Sequence, residues 1–97
     1  MCGVAGLWDR SADRREDVDV RLAALMAAIR HRGPDGEGAW SDLAAGIGLG
    51  HLRLAIQDLS PLGAQPMASA SGRFVLTYNG EIYNVAELRT ALAAAGW

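Results

Sequence analysis

The sequence holds one cysteine and two histidines in 97 residues. A single thiol excludes an internal disulfide framework, and with two imidazoles it leaves too few ligands for a Cys/His zinc site. No apolar stretch approaches the ~18 residues of a membrane span, and no charged segment precedes the first apolar run as in a secretory leader. The net charge of −2, with both signs scattered, offers neither a basic footprint for nucleic acid nor a polybasic membrane anchor. Repeats, low-complexity tracts and linkers are lacking too. The expectation is a cytoplasmic protein whose thiol stays reduced, with no nucleic-acid or membrane partner.

What is present suits one small globular domain. Hydrophobic residues reach 51% against 21% charged, enough for a core. At this length about two thirds of the unfolded surface can be buried, so that core is modest.

Residues 2–8, "CGVAGLW", are apolar and punctuated by glycine, as in a buried strand. Residues 9–17 are polar and read as a loop. "VDVRLAALMAAIRHRG" then sets Val18, Leu22, Leu25, Met26 and Ile29 at helical spacing, predicting a helix over residues 18–30 that Gly33-Pro34 stops. Between Gly36 and Gln57 lie two strands joined by a turn near residues 41–45. "SPLGAQPM" reads as a loop and "RFVLTYN" as a further strand, with Phe74, Leu76 and Tyr78 on one face. "NVAELRTALAAAG" predicts a last helix with Asn84 as N-cap, Glu87 as capping-box partner and Gly96 as stop. This order gives an α+β fold, with all strands in one largely antiparallel sheet and both helices packed on it.

Three stretches carry possible chemistry. In "NGEIYN", the Asn79 side-chain amide and the Gly80 N–H are donors that suit a developing oxyanion, and Glu81 suits an ammonium. An ordinary hairpin turn with a solvated glutamate fits the same letters. In "GLGHLRLAIQDL", Arg53 lies in an apolar strand and needs a carboxylate, either a structural one such as Asp58 or that of a substrate. His51 beside it reads as a packed histidine. "RHRGPDGEG" is mainly a cationic helix stop, with a faint suggestion of an anion site. As for the cysteine, "MCGVAGLW" places it directly after Met1. It can be an arbitrary terminal residue, a small core residue, or a nucleophile exposed as the first residue once Met1 is removed.

Taken together, "MCGVAGLW", "RHRGPDGEG", "GLGHLRLAIQDLSPLGAQPM" and "YNGEIYN" resemble the glutaminase domain of class II glutamine amidotransferases. These belong to the N-terminal-nucleophile hydrolase superfamily, and the wording of "RHRGPD", "RLAIQDLS", "QPM" and "NGEIYN" is similar to the asparagine synthetase branch. The resemblance implies a four-layer αββα sandwich, incomplete here, with residues 2–97 forming part of the glutaminase domain. It implies that Met1 is removed and that Cys2 is the nucleophile, its own α-amine acting as base; with a pKa of ~8 that amine is partly unprotonated at neutral pH. Arg53 then holds the glutamine α-carboxylate. The backbone at Ile56 and Gln57 lines the pocket, Asn79 and Gly80 form the oxyanion hole, and Glu81 meets the α-ammonium. The implied reaction is hydrolysis of L-glutamine through a glutamyl thioester, giving glutamate and ammonia, with no metal or cofactor among these residues.

In the family, ATP and Mg serve a C-terminal synthetase domain that amidates aspartate, or another carboxylate in some relatives, and that domain lies outside these residues. A strand bearing an aspartate for the glutamine ammonium also follows the second helix in the family. Its absence after Trp97 makes an N-terminal fragment the expected reading. Such a chain alone is expected to be marginally stable and inactive, or to serve as a non-enzymatic binding module.

Overall fold

The computed structural model describes residues 1–56 and 58–97. Three strands form the first sheet: β1 (Gly3–Trp8), β2 (Gly36–Asp42) and β3 (Ile47–Arg53). They run antiparallel in the order β1-β3-β2, so the last strand in sequence is central. Helix α1 (Val18–Ala28) lies against this sheet, with Val18, Leu22 and Met26 buried on one stripe. Ala5 and Leu52 complete the core beneath it, with Ile29 and Leu7 at its margin. Leu25, expected in the same stripe, is 44% exposed, because it falls at the stripe's edge beyond the cover of the sheet.

With so few residues in the core, each matters. Leu22 is fully enclosed, so Leu22→Ala is expected to cost about 2–5 kcal/mol, a large share of a small domain's stability. Urea unfolding measures this, and a loss below about 1 kcal/mol would contradict the core described here.

The hairpin between β2 and β3 follows the sequence reading. Its turn is tied by the Asp42 carboxylate, which accepts the Ala45 N–H at 3.0 Å, and by Gly46 at a φ of 72°. Strand β3 stops at Arg53, short of the Gln57 boundary; Gln57 itself lies outside the described residues. Residues 9–17, read as a loop, instead coil into a 3₁₀ segment over Ala12–Asp17. Helix α1 ends at Ala28, and the expected last turn tightens into a separate 3₁₀ turn over Arg30–Arg32.

Two expectations fail. The strand read in residues 73–78 does not join the first sheet: only Val75–Leu76 (β5) is extended in a ladder, and it pairs with Met67–Ala68 (β4) in a separate two-stranded sheet. The cause is local. A turn in which the Ser69 N–H donates to the Phe74 carbonyl at 2.9 Å, and the Gly72 N–H to that of Ser69 at 2.8 Å, gives β5 a nearby partner. The second sheet is also led across the face of the first. The Gln65 carbonyl sits where a Cβ on Gly38 would project, so a side chain at that position would push this layer away.

The second failure concerns helix α2 (Val85–Ala94), expected to pack on the sheet. Residues 78–97 are exposed throughout, so its apolar residues Val85, Leu88 and Leu92 remain open. Asn84 occupies the N-cap position, yet its side chain makes no cap bond, because φ −102° and ψ 38° lie outside the extended conformation that aims a cap side chain. The far end is as expected. Gly96 has a φ of 86°, and the Gly96 and Trp97 N–H groups return to the Ala93 and Leu92 carbonyls at 3.1 and 3.0 Å.

Candidate active site

The chain leaving β3 turns away from the first sheet and meets the chain entering the Asn79–Gly80 turn. Between them opens a cleft of about 370 Å³. That volume is within the usual range for small-molecule sites. Cys2, Arg53, Ile56, Asn79, Gly80 and Glu81 all line it. These are the sequence-derived site residues apart from Gln57, on which the described residues are silent.

Cys2 precedes β1, and its thiol is half-buried at the exit of β3. The Leu54 N–H donates to Sγ at 3.4 Å, and Sγ lies 3.7 Å from the Leu54 carbonyl. The thiol is therefore held against backbone groups at the cleft wall.

Arg53 settles one of the open alternatives. Its Nη1 donates to the Ser60 carbonyl at 2.7 Å, and its Nη2 to the Asp58 carbonyl. The Asp58 carboxylate is not its partner, since it accepts the Ser60 N–H at 2.7 Å instead. Contacts with Ser60 hold the Asp58 carboxyl below its ordinary range, and the nearby Arg53 charge adds to the effect. Among the described residues the ion pairs are Arg21–Asp9 and Arg30–Glu37, so Arg53 reaches no carboxylate. A guanidinium has five N–H donors, and two of them are bound by the described residues. The rest can meet a ligand carboxylate. Gly63 sits directly against the fork, and a Cβ there would fall on it.

The Asn79–Gly80 turn is shaped by its neighbours. The Gln65 side-chain oxygen accepts the Tyr78 N–H at 2.6 Å, and the Tyr78 hydroxyl donates to the Glu81 carbonyl at 3.2 Å. The Tyr78 ring covers Gly80 so closely that a Cβ there would lie 2.6 Å from ring carbon Cζ.

Some positioning groups were not legible from the sequence. Asp35, in the "RHRGPDGEG" stretch, uses its carboxylate to accept the Ala55 N–H at 2.8 Å, while its own N–H donates to the Arg53 carbonyl at 2.9 Å. It thereby pins the segment that carries Leu54–Ile56 along the cleft. The faint anion-site reading of this stretch is weakened, because Arg30 is engaged with Glu37 at 3.1 Å. Gln65 and Tyr78 carried no signal beyond ordinary loop and strand composition.

His51 is packed, as expected, at 2% exposure. Burial pushes its imidazole below the ordinary value; a hydrogen bond to the Tyr78 backbone opposes this, and the Arg53 charge adds to the lowering. The consequence for stability has a definite sign. Below the usual imidazole range the unfolded chain takes up a proton that the folded chain refuses, so stability falls as pH drops from about 6.5. Denaturant unfolding from pH 7 to 5 should show this slope, and His51→Asn should flatten it; an identical slope in both would contradict it.

Among the described residues no group of three or more His, Cys, Asp or Glu side chains can hold a metal, and no helix is long and apolar enough to cross a membrane.

Comparison with known proteins shows the family to which the chain belongs. The family model described as a glutamine amidotransferase domain matches residues 1–97. The chain is 42% identical over 92 residues to asparagine synthetase B (glutamine-hydrolyzing) of Escherichia coli, with 92% of this chain and 15% of that protein covered. It is 40% identical over 93 residues to asparagine synthetase (glutamine-hydrolyzing) 2 of Bacillus subtilis, covering 95% and 12%. Amidase chry2 of Gibberella zeae is 36% identical over 101 residues, covering 96% and 15%. The chain thus spans only 12–15% of the length of these three relatives. No solved structure matches it significantly. On the family match and these identities, the chain belongs to the glutamine amidotransferase domain family, with glutamine-hydrolysing asparagine synthetases among its relatives.

Proposed function

We propose that the chain carries the nucleophile and most of the glutamine contacts of a glutaminase site, which converts L-glutamine to glutamate and ammonia. The supporting observation is that Cys2, Arg53, Asn79, Gly80 and Glu81 line one cleft in which the Arg53 guanidinium reaches no carboxylate of the described residues.

In this reading Met1 is removed, and the new α-amine of Cys2 takes the thiol proton, directly or through water. Sulfur attacks the side-chain amide carbon of glutamine. The amide oxygen becomes negative where the Asn79 amide and the Gly80 N–H can donate to it. As the intermediate collapses, the proton passes from the ammonium to the departing nitrogen. Ammonia leaves and a glutamyl thioester remains. Water then attacks the thioester, losing its proton to the same amine, and the sulfur departs to be reprotonated as glutamate forms. Arg53 grips the α-carboxylate, Glu81 the α-ammonium, and the backbone at Ile56 and Gln57 closes the wall.

The ammonia is then used, in the whole protein, by an ATP- and Mg-dependent synthetase domain that amidates a carboxylate. Aspartate is the acceptor that the relatives' name supports. Both sheets would belong to the αββα sandwich of N-terminal-nucleophile hydrolases. One observation favours a narrower role for these 97 residues taken alone. With residues 78–97 exposed, the Asn79–Glu81 turn has little packing behind it, so the isolated chain should associate readily and hydrolyse little glutamine.

Substitution at the carboxylate clamp tests the reading in the full-length protein. Arg53→Ala should raise KM for glutamine by about 10–100-fold with a smaller change in kcat, as expected for the loss of charge-assisted bonds made in both ground and transition states. Gly63→Ala should shift KM the same way but less, by displacing the fork. An unchanged KM in Arg53→Ala would remove the main support for a glutamine site.

A further inference from the structure

Arg53 is the last residue of β3, and its guanidinium is directed by the loop that follows. Nη1 donates to the Ser60 carbonyl at 2.7 Å and Nη2 to the Asp58 carbonyl. The bend that brings both carbonyls to one fork is closed by the Asp58 carboxylate, which accepts the Ser60 N–H at 2.7 Å. Bonding the backbone two residues on is a habit that Asp shares with Asn, because each offers the same side-chain oxygen. Further along, the Ser60 hydroxyl accepts the Leu62 N–H at 3.3 Å and caps a short 3₁₀ turn over Pro61–Gly63. That turn returns Gly63 to the fork, where a Cβ would fall on Nη2. Residues 58–63 thus make a socket around the guanidinium, lined with main-chain groups. Carbonyl oxygens orient the cation without cancelling its charge, so its attraction for a ligand carboxylate is kept.

We propose that Asp58 is a positioning residue: its carboxylate folds the 58–60 turn that aims Arg53 into the cleft, and it acts by shape rather than by charge. Its effect on glutamine rests on the glutaminase reading, in which Arg53 grips the α-carboxylate. Asp58 itself also lines the cleft, so a direct charge contact with the substrate is the alternative to be separated from it. The Asp58–Ser60 bond is exposed to water, and a bond of that kind limits the expected change to about tenfold. The loss should fall on binding more than on turnover, because the α-carboxylate is held equally before and during attack on the distant amide.

Steady-state glutaminase kinetics on the full-length protein test this. Asp58→Ala should raise KM for L-glutamine by about 3–10-fold, with kcat within about twofold. Asp58→Asn keeps the acceptor and removes the charge, so it should bring KM back to within about twofold of the unsubstituted protein. An unchanged KM in Asp58→Ala would overturn the proposal. So would an equal rise in both variants, which would assign the effect to charge. Arg53→Ala combined with Asp58→Ala should be no worse than Arg53→Ala alone, because the turn then has no guanidinium to aim. Full additivity in log KM would show that Asp58 acts other than through Arg53, and would overturn the positioning role. An unchanged KM in Arg53→Ala by itself is the separate outcome that sinks the carboxylate clamp, and the role of Asp58 falls with it.

Discussion

Cys2→Ala should abolish glutamine hydrolysis in the full-length protein, by about 10⁴-fold or more, the scale seen when a catalytic nucleophile is removed. Among the described residues the Cys2 thiol makes its hydrogen bonds with the Leu54 backbone, and in the proposed scheme the sulfur is the only nucleophile. Synthesis from free ammonia should survive, because in the proposed scheme the second reaction does not use the sulfur. Cys2→Ser should retain little activity, since a hydroxyl is far harder than a thiol for an amine of pKa ~8 to deprotonate. Steady-state ammonia release with each nitrogen source separates these outcomes. Full glutamine-dependent turnover in Cys2→Ala would refute the nucleophile assignment.

The next largest effect is expected at the Asn79–Gly80 turn. Removing one oxyanion donor typically costs about 10²–10³-fold in kcat, and Asn79→Ala should fall in that range with KM little changed. Gly80→Ala should be comparably damaging for a different reason. The added Cβ would lie 2.6 Å from the Tyr78 ring, so either the ring or the turn must move, and the Tyr78–Glu81 bond that closes the turn goes with it. Tyr78→Ala combined with Gly80→Ala should therefore be less than additive. Strict additivity in log kcat would show that the ring does not constrain the turn.

The residues that line the cleft were legible only when several short stretches were taken together. A lone cysteine behind Met1, an arginine inside an apolar strand and an Asn-Gly pair at a strand end each left a structural reading open beside the chemical one, and the resemblance of the assembled motifs chose between them. Helix α1 was legible on its own, since an apolar stripe has a fixed period. The arrangement of strands was not. Alternation in residues 73–78 marks an extended segment, but it holds no information on which sheet that segment joins. That choice depended on a turn at Ser69–Phe74 and on the room above Gly38. Helix α2 shows the same limit: Val85, Leu88 and Leu92 define a face without naming what covers it. Asp35 was hidden because its partner, the Ala55 N–H, is 20 residues away and becomes a neighbour only on folding.

The most direct test of the glutamine cleft is covalent trapping with a chloroketone analogue of glutamine, followed by peptide mass mapping of the full-length protein. One adduct per chain is expected on Cys2 as the mature N-terminal residue, with Met1 gone. Its formation should be suppressed by L-glutamine and strongly slowed in Arg53→Ala. Labelling elsewhere, or labelling of Cys2 at a rate indifferent to both glutamine and Arg53, would contradict a glutamine-binding cleft built on these residues.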